Sequence, residues 1–572
     1  MNEQRNLILA IVLSAAILFG FQWLFPTTPT QAPVSADQAA TSVPPVPQGT
    51  AQADAPAAAK PATPAETRAA ALAQAKRVPI RTPRLHGSIS LAGARVDDLT
   101  LANYHETPDR GSPEITLLSP AAAPQPYYAE FGWVPADPAV KTPKADTLWQ
   151  PVEGSAAELT AGGKLTLAWD NGEGLRFMRT YTVDENYMFT VQQRVENIGT
   201  KPVTLHPYAL VSRTGTPTTE GMYILHEGPL GVLGGTLKEV DYDELAKDGV
   251  IREKTTGGWL GITDKYWLTA LIPTQKEEVT GRFVHQRTDT GDRYQVDFTG
   301  GPRVAEPGQS IEAGFNLFAG AKEVSLLDAY AEKYGVERFD LAIDFGWFYF
   351  LTKPFFYLLT MLNGMLGNMG LAILALTVVI KAIMFPLANK SYVAMTKMKK
   401  LQPQIQAMQQ RYGDDKMRMQ QEMMALYKRE KVNPVSGCLP ILIQIPVFFA
   451  LYKVLFVAIE MRHAPFYGWI KDLSAPDPTS IFNLFGLIPW DPPTFLMIGV
   501  WPLIMGVTMW LQQKLNPQPA DPVQAKMFQI LPIVFTFMLA TFASGLVIYW
   551  AWSNTLSILQ QWIIMRRAGV KA

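Results

Sequence analysis

Apolar residues fall into three regimes along the chain: one run near the start, short alternating segments through the middle, and long runs from about residue 343 onward. Residues 7–25 (LILAIVLSAAILFGFQWLF) carry no charge. As a helix this run spans about 28 Å, the thickness of a bilayer core. It predicts a retained transmembrane anchor over 1–25. A cleaved signal peptide would have an apolar core of about 7–15 residues, and the nearest small-residue site, Val34-Ser35-Ala36, lies well past the run. Residues 26–78, rich in Ala, Pro, Thr and Gln, have too few large apolar side chains to offset the entropy of ordering, which predicts a disordered linker.

Across 79–335 the period is two. Runs such as 164–169, 177–183, 188–195, 266–272, 281–287 and 293–298 alternate apolar and polar residues between Gly, Asp and Asn turns, which predicts an antiparallel β-sandwich. Residues 322–334 read as a closing helix and the glycine cluster at 228–235 as a loop. The connector 336–366 contains an aromatic-rich segment, 344–366, whose Lys353-Pro354 suits an interfacial amphipathic helix. Five spans follow, at about 367–387, 437–459, 494–513, 528–542 and 545–565. The last two are parted by Ala543-Ser544-Gly545. The fold class is thus a polytopic α-helical membrane protein: an N-terminal anchor and a five-helix core (367–572) with a cytoplasmic hairpin at 388–433, joined to a large periplasmic β-sandwich domain.

Charge sets the topology. The chain holds 50 basic and 50 acidic residues, yet segment 388–433 has ten basic against four acidic, a net +6. The 460–493 loop carries an acidic excess, and Arg566, Arg567 and Lys571 make the tail basic. By the positive-inside rule the hairpin and both termini are cytoplasmic, leaving the sandwich outside. The single cysteine, Cys438, excludes an intrachain disulfide and reads as a small packed hydrophobe. The histidines at 86, 105, 206, 226, 285 and 463 have no metal-ligand spacing, so no metal or other cofactor is expected.

The candidate chemistry is polar residues in apolar helices. Lys381 costs about 2.5–3.5 kcal/mol near the centre of a span, so it needs a wet surrounding or a partner. Counting from the cytoplasmic boundaries at about 1.5 Å per residue puts Lys381 and Thr377 about 9 and 15 Å deep and Gln444 about 10 Å. The same count puts Thr508 at about 7 Å, Thr536 and Ser557 at about 12 Å, and Asn554 at about 16 Å. The outer halves are aliphatic and aromatic. Snorkelling of Lys381 to the headgroups fits this depth too, but the shared depth across five spans favours a hydrated recess open to the cytoplasm. A conducting pore would be polar throughout.

The hairpin arms are about 388–411 and 416–430, around Tyr412-Gly413-Asp414-Asp415, with Asp414 or Asp415 as helix cap. Its candidate contact residues are Lys399, Lys400, Met408, Arg411, Met419 and Met423. The seven methionines there could grip varied apolar segments or form the hairpin's own seam. The basic excess suits ribosomal RNA or anionic lipid, or is topology signal alone. Ser544 in FASG has no base within the core spans, so hydrolysis lacks support.

The stretch LQPQIQAMQQRYGDDKMRMQQEMMALYKREKVNPVSGCLPILIQIPVFFALY (401–452), with SGLVIYWAWSN (544–554) and the start MNEQRNLILAIVLS (1–14), resembles the YidC membrane protein insertases of Gram-negative bacteria. The likeness is close over the membrane core and weaker over the outer domain. It implies a β-supersandwich outside and an inner-leaflet hydrophilic groove with one cation, at the position of Lys381. The usual family residue is arginine; lysine loses the bidentate fork and can shed its proton when buried. Thr377, Gln444 and Tyr549 match other groove positions, and Trp550 stands where a second tyrosine is common. The implied partners are nascent membrane proteins, the ribosome, the Sec translocon (SecYEG, SecDF) and anionic lipids. The implied action is insertion into the inner membrane, alone or with Sec, without covalent chemistry. Two rival classes are a small-solute transporter, which would show inverted repeats and broken midplane helices, and a tethered carbohydrate-binding or carbohydrate-active protein using the outer domain.

Overall fold

The computed structural model describes residues 54–56, 67–219, 225–412, 415–430, 439–486, 488, 490, 492–493, 497–516 and 522–568. The anchor over 1–25 lies outside the described residues. So does most of the 26–78 linker, but its end is ordered and the linker reading is corrected there. Thr67 caps a short helix, α1 (Arg68–Ala73), by accepting from Ala70 N at 3.2 Å, and the first strand begins at Arg77. Arg68 pairs with Asp98 and Arg77 with Asp97, and Ala71 and Val78 are buried, so ion pairs and apolar packing together hold this segment down.

Two antiparallel sheets form the outer domain. The first runs Arg77–Arg81, Leu85–Ser90, Arg95–His105, Tyr127–Pro135, Val203–Thr214, Gly291–Gly300, Glu278–Thr288, Val250–Thr256. The second runs Thr236–Glu239, Gly228–Leu233, Trp259–Thr263, Trp267–Pro273, Ser310–Ala321, Met188–Asn197, Leu175–Val183, Lys164–Asp170, Gln150–Pro151. Strict alternation of burial along Leu175–Val183 shows one face turned to the core. Val96, Phe131, Val211 and Phe298 from the first sheet and Phe177, Val191, Leu317 and Trp259 from the second are all buried in that core. Arg179 crosses it as a polar pillar: its guanidinium donates to the carbonyls of Gly93, Ala94 and Phe131 and lies 4.7 Å from the Trp149 ring centre. One buried cation thus donates to three backbone carbonyls, and Tyr181 Oη donates to that of Ala94 as well.

The glycine cluster at 228–235 is not a loop. Gly228–Leu233 is a fully buried strand paired on both sides, and only Gly234-Gly235, both at positive φ (56° and 73°), make the turn to Thr236–Glu239. A primed two-residue turn demands that conformation. A strand buried on both faces also shows no alternation, which hides it from a period-two reading.

Helix α2 (Tyr242–Asp248) packs at the edge and α3 (Val324–Tyr334) closes the domain, as the 322–334 pattern predicts. The chain then enters α4 (Tyr349–Leu366). Its Phe350, Tyr357, Met361 and Met365 are exposed, whereas Phe356 and Leu359 are buried. Lys353 bridges Asp328 on α3 (2.9 Å) and Asp340 (2.8 Å), and Tyr349 and Tyr357 bond the same two carboxylates. The two-sided character expected of an interfacial helix is present, with its polar side tied to the outer domain.

The remaining helices are α5 (Met369–Tyr412), α6 (Lys416–Arg429), α7 (Leu439–Val457), α8 (Val500–Leu515), α9 (Pro522–Leu539) and α10 (Ser544–Arg567). The first core span and the first hairpin arm, read as separate at 387/388, form one 44-residue helix. Pro386 removes a single N–H from the ladder and does not end it. Among the described residues only α5 is both long and apolar enough to cross a membrane by those criteria; the apolar parts of α7 (Gln444–Val457) and α9 (Ala525–Leu539) are shorter. Asp415 caps α6, accepting from Arg418 N at 3.0 Å. Buried side chains of α4, α5, α7 and α10 share one core, whereas α8 and α9 join α10 through Met505, Leu539, Val547 and Ala551.

Candidate functional site

Thr377, Ile380, Lys381, Met384, Leu387, Ala388 and Tyr392 on α5, Gln444 and Val447 on α7, and Tyr549 on α10 line a small, partly open recess. The α5 positions recur every three or four residues, so one stripe of a continuous helix forms a whole wall. Lys381 Nζ donates to Ser557 Oγ at 2.7 Å, and that hydroxyl in turn donates to Ser553 O at 2.9 Å. Gln444 Nε2 reaches Ser553 Oγ at 3.4 Å. Thr377 is buried and spends its proton on Ile373 O, so it presents only acceptor capacity.

No carboxylate belongs to the lining, and among the described residues none pairs with Lys381. One hydrogen bond to a charged group returns about 1.5–3 kcal/mol. That is comparable to the insertion cost of the lysine, so the ammonium is tolerated while two of its three donors stay available. The recess can therefore receive an anionic or strongly accepting group.

Not every polar residue of similar depth meets here. Asn554 Nδ2 reaches Thr508 Oγ1 at 3.4 Å between α10 and α8, and Thr536 donates to Pro532 O while facing Gly506. These three join helices outside the recess lining, so the five-helix recess expected from depth contracts to α5, α7 and α10. Trp550 is also outside it: its ring stacks on Phe448 (4.6 Å, 28°) and meets Phe535 edge-on at 6.3 Å, between α7 and α9.

On the hairpin, Met408 packs with Met398 and Ile405 around Leu401 and Leu426, so the seam reading holds for it. Met419 and Met423 are half-buried, Lys399 is half-buried, and Lys400 and Arg411 are exposed. Arg411 and Arg418 flank the Tyr412 ring at 5.6 and 5.5 Å. Sequence reasoning missed Tyr392 and Ala388 at the recess mouth. The signal was their helical spacing from Thr377 and Lys381, visible once α5 is carried through Pro386.

An antiparallel sandwich, an amphipathic connecting helix and apolar helices around a one-sided recess with a single cation define an integral membrane protein built to accommodate rather than transform. Two family models cover nearly the whole chain: the YidC periplasmic domain over residues 77–358 and the 60Kd inner membrane protein over 361–571. The membrane protein insertase YidC of Methylobacterium sp. (strain 4-46) is 52% identical, with 100% of this chain and 96% of the relative covered; that of Granulibacter bethesdensis is 51% identical over 99% and 98%. The chain belongs to the YidC family of membrane protein insertases, and is an insertase rather than an enzyme. A crystal structure of an active YidC insertase with its first transmembrane domain resolved aligns over 85% of this chain and 92% of its own (18% identity, TM-score 0.36). A galactose mutarotase related enzyme from Lactobacillus acidophilus aligns over 43% and 97% (12% identity, TM-score 0.30). Both are too distant to bear on the site.

Proposed function

We propose that this chain moves hydrophobic segments of nascent membrane proteins from the cytoplasm into the inner membrane through the recess of α5, α7 and α10, alone or with the Sec translocon. The observation that carries the reading is Lys381: a cation without a carboxylate partner among the described residues, in a wall shared with Thr377, Gln444 and Tyr549. In this reading five core spans and the N-terminal anchor cross the membrane, both termini are cytoplasmic and the sandwich domain is periplasmic. The hairpin of α5 and α6 meets the ribosome and anionic lipid through Lys399, Lys400 and Arg411, and Met419 and Met423 touch the emerging segment. The short polar flank of the client enters the recess, where Lys381 and water lower its desolvation cost. Its apolar part slides past exposed Ile445 and Phe449 on α7 and Ile533, Val534 and Phe537 on α9 into lipid. Hydrophobic transfer drives release.

The test is photocrosslinking during synthesis of a small membrane protein, with the reactive group at 384 in the recess wall and at 550 beside the α7–α9 path, leaving Lys381 in place. Nascent chain should be labelled from both positions. Labelling of a small solute instead would mark a transporter, and nascent chain labelled from neither would refute insertion through this recess.

A further inference from the structure

Helix α7 supplies the recess wall that carries Gln444 and Val447, yet its firmest ties lie at its outer end. Lys453 Nζ sits 2.7 Å from Asp344 Oδ2 and 3.3 Å from Asp344 O, with the two side chains only 12% and 22% exposed. Asp344 is itself fixed: Oδ2 accepts from His226 N of the sandwich at 3.3 Å, and Oδ1 accepts from Gly346 N at 3.0 Å. Gly346 makes room for the lysine, since a Cβ there would stand 2.8 Å from Lys453 Cε. Just beyond, Lys265 of the sandwich lies 4.0 Å from the Phe456 ring centre, and Arg462 donates to His105 O at 2.6 Å. Toward the inner end, among the described residues, α7 meets α10 through the contacts of Gln444 with Ser553 Oγ (3.4 Å) and Tyr549 and through the Phe448–Trp550 stack. Half-buried, geometrically fixed ion pairs are hard to break because either partner alone is left as an uncompensated charge. The inner contacts have no such penalty.

We infer that Lys453 and Asp344 are positioning residues: their ion pair pins α7 to the outer domain and so sets how far the Gln444 wall stands from α10. This rests on the insertion reading above and gives the outer domain a part in it. Lys453 lies about 14 Å along the helix from Gln444, so a small tilt at the pin becomes a comparable displacement at the recess.

The test uses the full chain in liposomes with Cys438→Ser and spin labels at the exposed positions 445 on α7 and 559 on α10. Lys453→Met, Asp344→Asn, their combination and Lys453→Arg are compared for label distance and for client insertion rate. Each single variant should broaden the distance distribution and slow insertion about fivefold or more. The double variant should be no worse than either single, and Lys453→Arg should keep both readouts near the parent. Unchanged distances in Lys453→Met, or additive losses in the double variant, overturn the pin. Lys381→Met in the same assay separates the two readings. If it slows insertion while Lys453→Met does not, the pin's part in insertion is refuted. If Lys381→Met itself has no effect, the recess reading fails and the distances alone decide whether α7 is pinned.

Discussion

Replacing Lys381 by Met isolates the charge. Methionine keeps most of the side-chain length and reach, and the change orphans no donor, because Ser557 Oγ already donates to Ser553 O. Packing around Thr377, Ile380 and Met384 is left nearly as it was. What is lost is attraction. A client carboxylate about 6 Å from the ammonium, at an effective dielectric of about 20, is favoured by roughly 3 kcal/mol. That corresponds to about a hundredfold in occupancy as an upper bound, and about tenfold if water fills the gap. The assay is insertion into liposomes containing the full chain, read by protease protection, for three clients that differ only in one flank residue: Asp, Asn or Lys. Lys381→Met should slow the Asp client 10- to 100-fold relative to the Asn client. Lys381→Glu should invert the order and favour the Lys client. Lys381→Arg should keep the parent order, because guanidinium carries the same charge. An equal loss for Asp and Asn clients in Lys381→Met would refute a charge role and leave Lys381 as a wall residue.

Two further outcomes test the packing and the electrostatics. A Cβ at Gly506 would overlap Thr536 Oγ1, so Gly506→Val should part α8 from α9 at a cost of about 1–3 kcal/mol, seen as a lower unfolding temperature that Thr536→Ala partly restores. Lys322 in the sandwich is fully buried; burial lowers its pKa from 10.5 to about 8, only partly offset by Asp264, Asp344, Glu227 and Glu239, and it donates to Thr263 Oγ1 at 2.8 Å. Between these two pKa values the unfolded chain binds the proton and the folded chain does not, so stability rises with pH across that window. Denaturant unfolding of the full chain from pH 7 to 10.5 should show this rise, and Lys322→Met should flatten it.

Depth was legible in the sequence; azimuth was not. Counting residues from a boundary places Lys381, Gln444, Thr508, Thr536 and Asn554 at similar depth, but whether two side chains meet depends on how each helix is rotated about its axis. That rotation is set by packing: Thr536 turns to the gap left by Gly506, and Asn554 turns to Thr508. The recess therefore keeps Thr377, Lys381, Gln444, Tyr549 and, through its hydrogen bond, Ser557. The outer sandwich was legible where strands have one wet face, as in Leu175–Val183, and hidden where both faces are covered, as in Gly228–Leu233. Tyr392 was hidden by dividing at 387/388 a helix that runs on from Met369 to Tyr412.

The argument that singles out Lys381 applies equally to Lys453, a second cation inside an apolar run. The two resolve differently. Lys453 finds Asp344, 109 residues earlier in the chain, whereas Lys381, among the described residues, finds a serine hydroxyl and no carboxylate. A charge in an apolar helix announces that something offsets its cost, but the sequence around it does not say whether that is an ion pair or a wet pocket. The answer lies in a remote segment: Asp344, held by the backbone of His226 and Gly346, has its charge already spent on Lys453, while α10 offers Lys381 only hydroxyls. The same element of pattern thus yields a pin at one end of the bundle and a receiving site at the other. A membrane bundle with two such residues should be searched for a carboxylate partner of each first, and only the cation left without one read as a place where a client can bind.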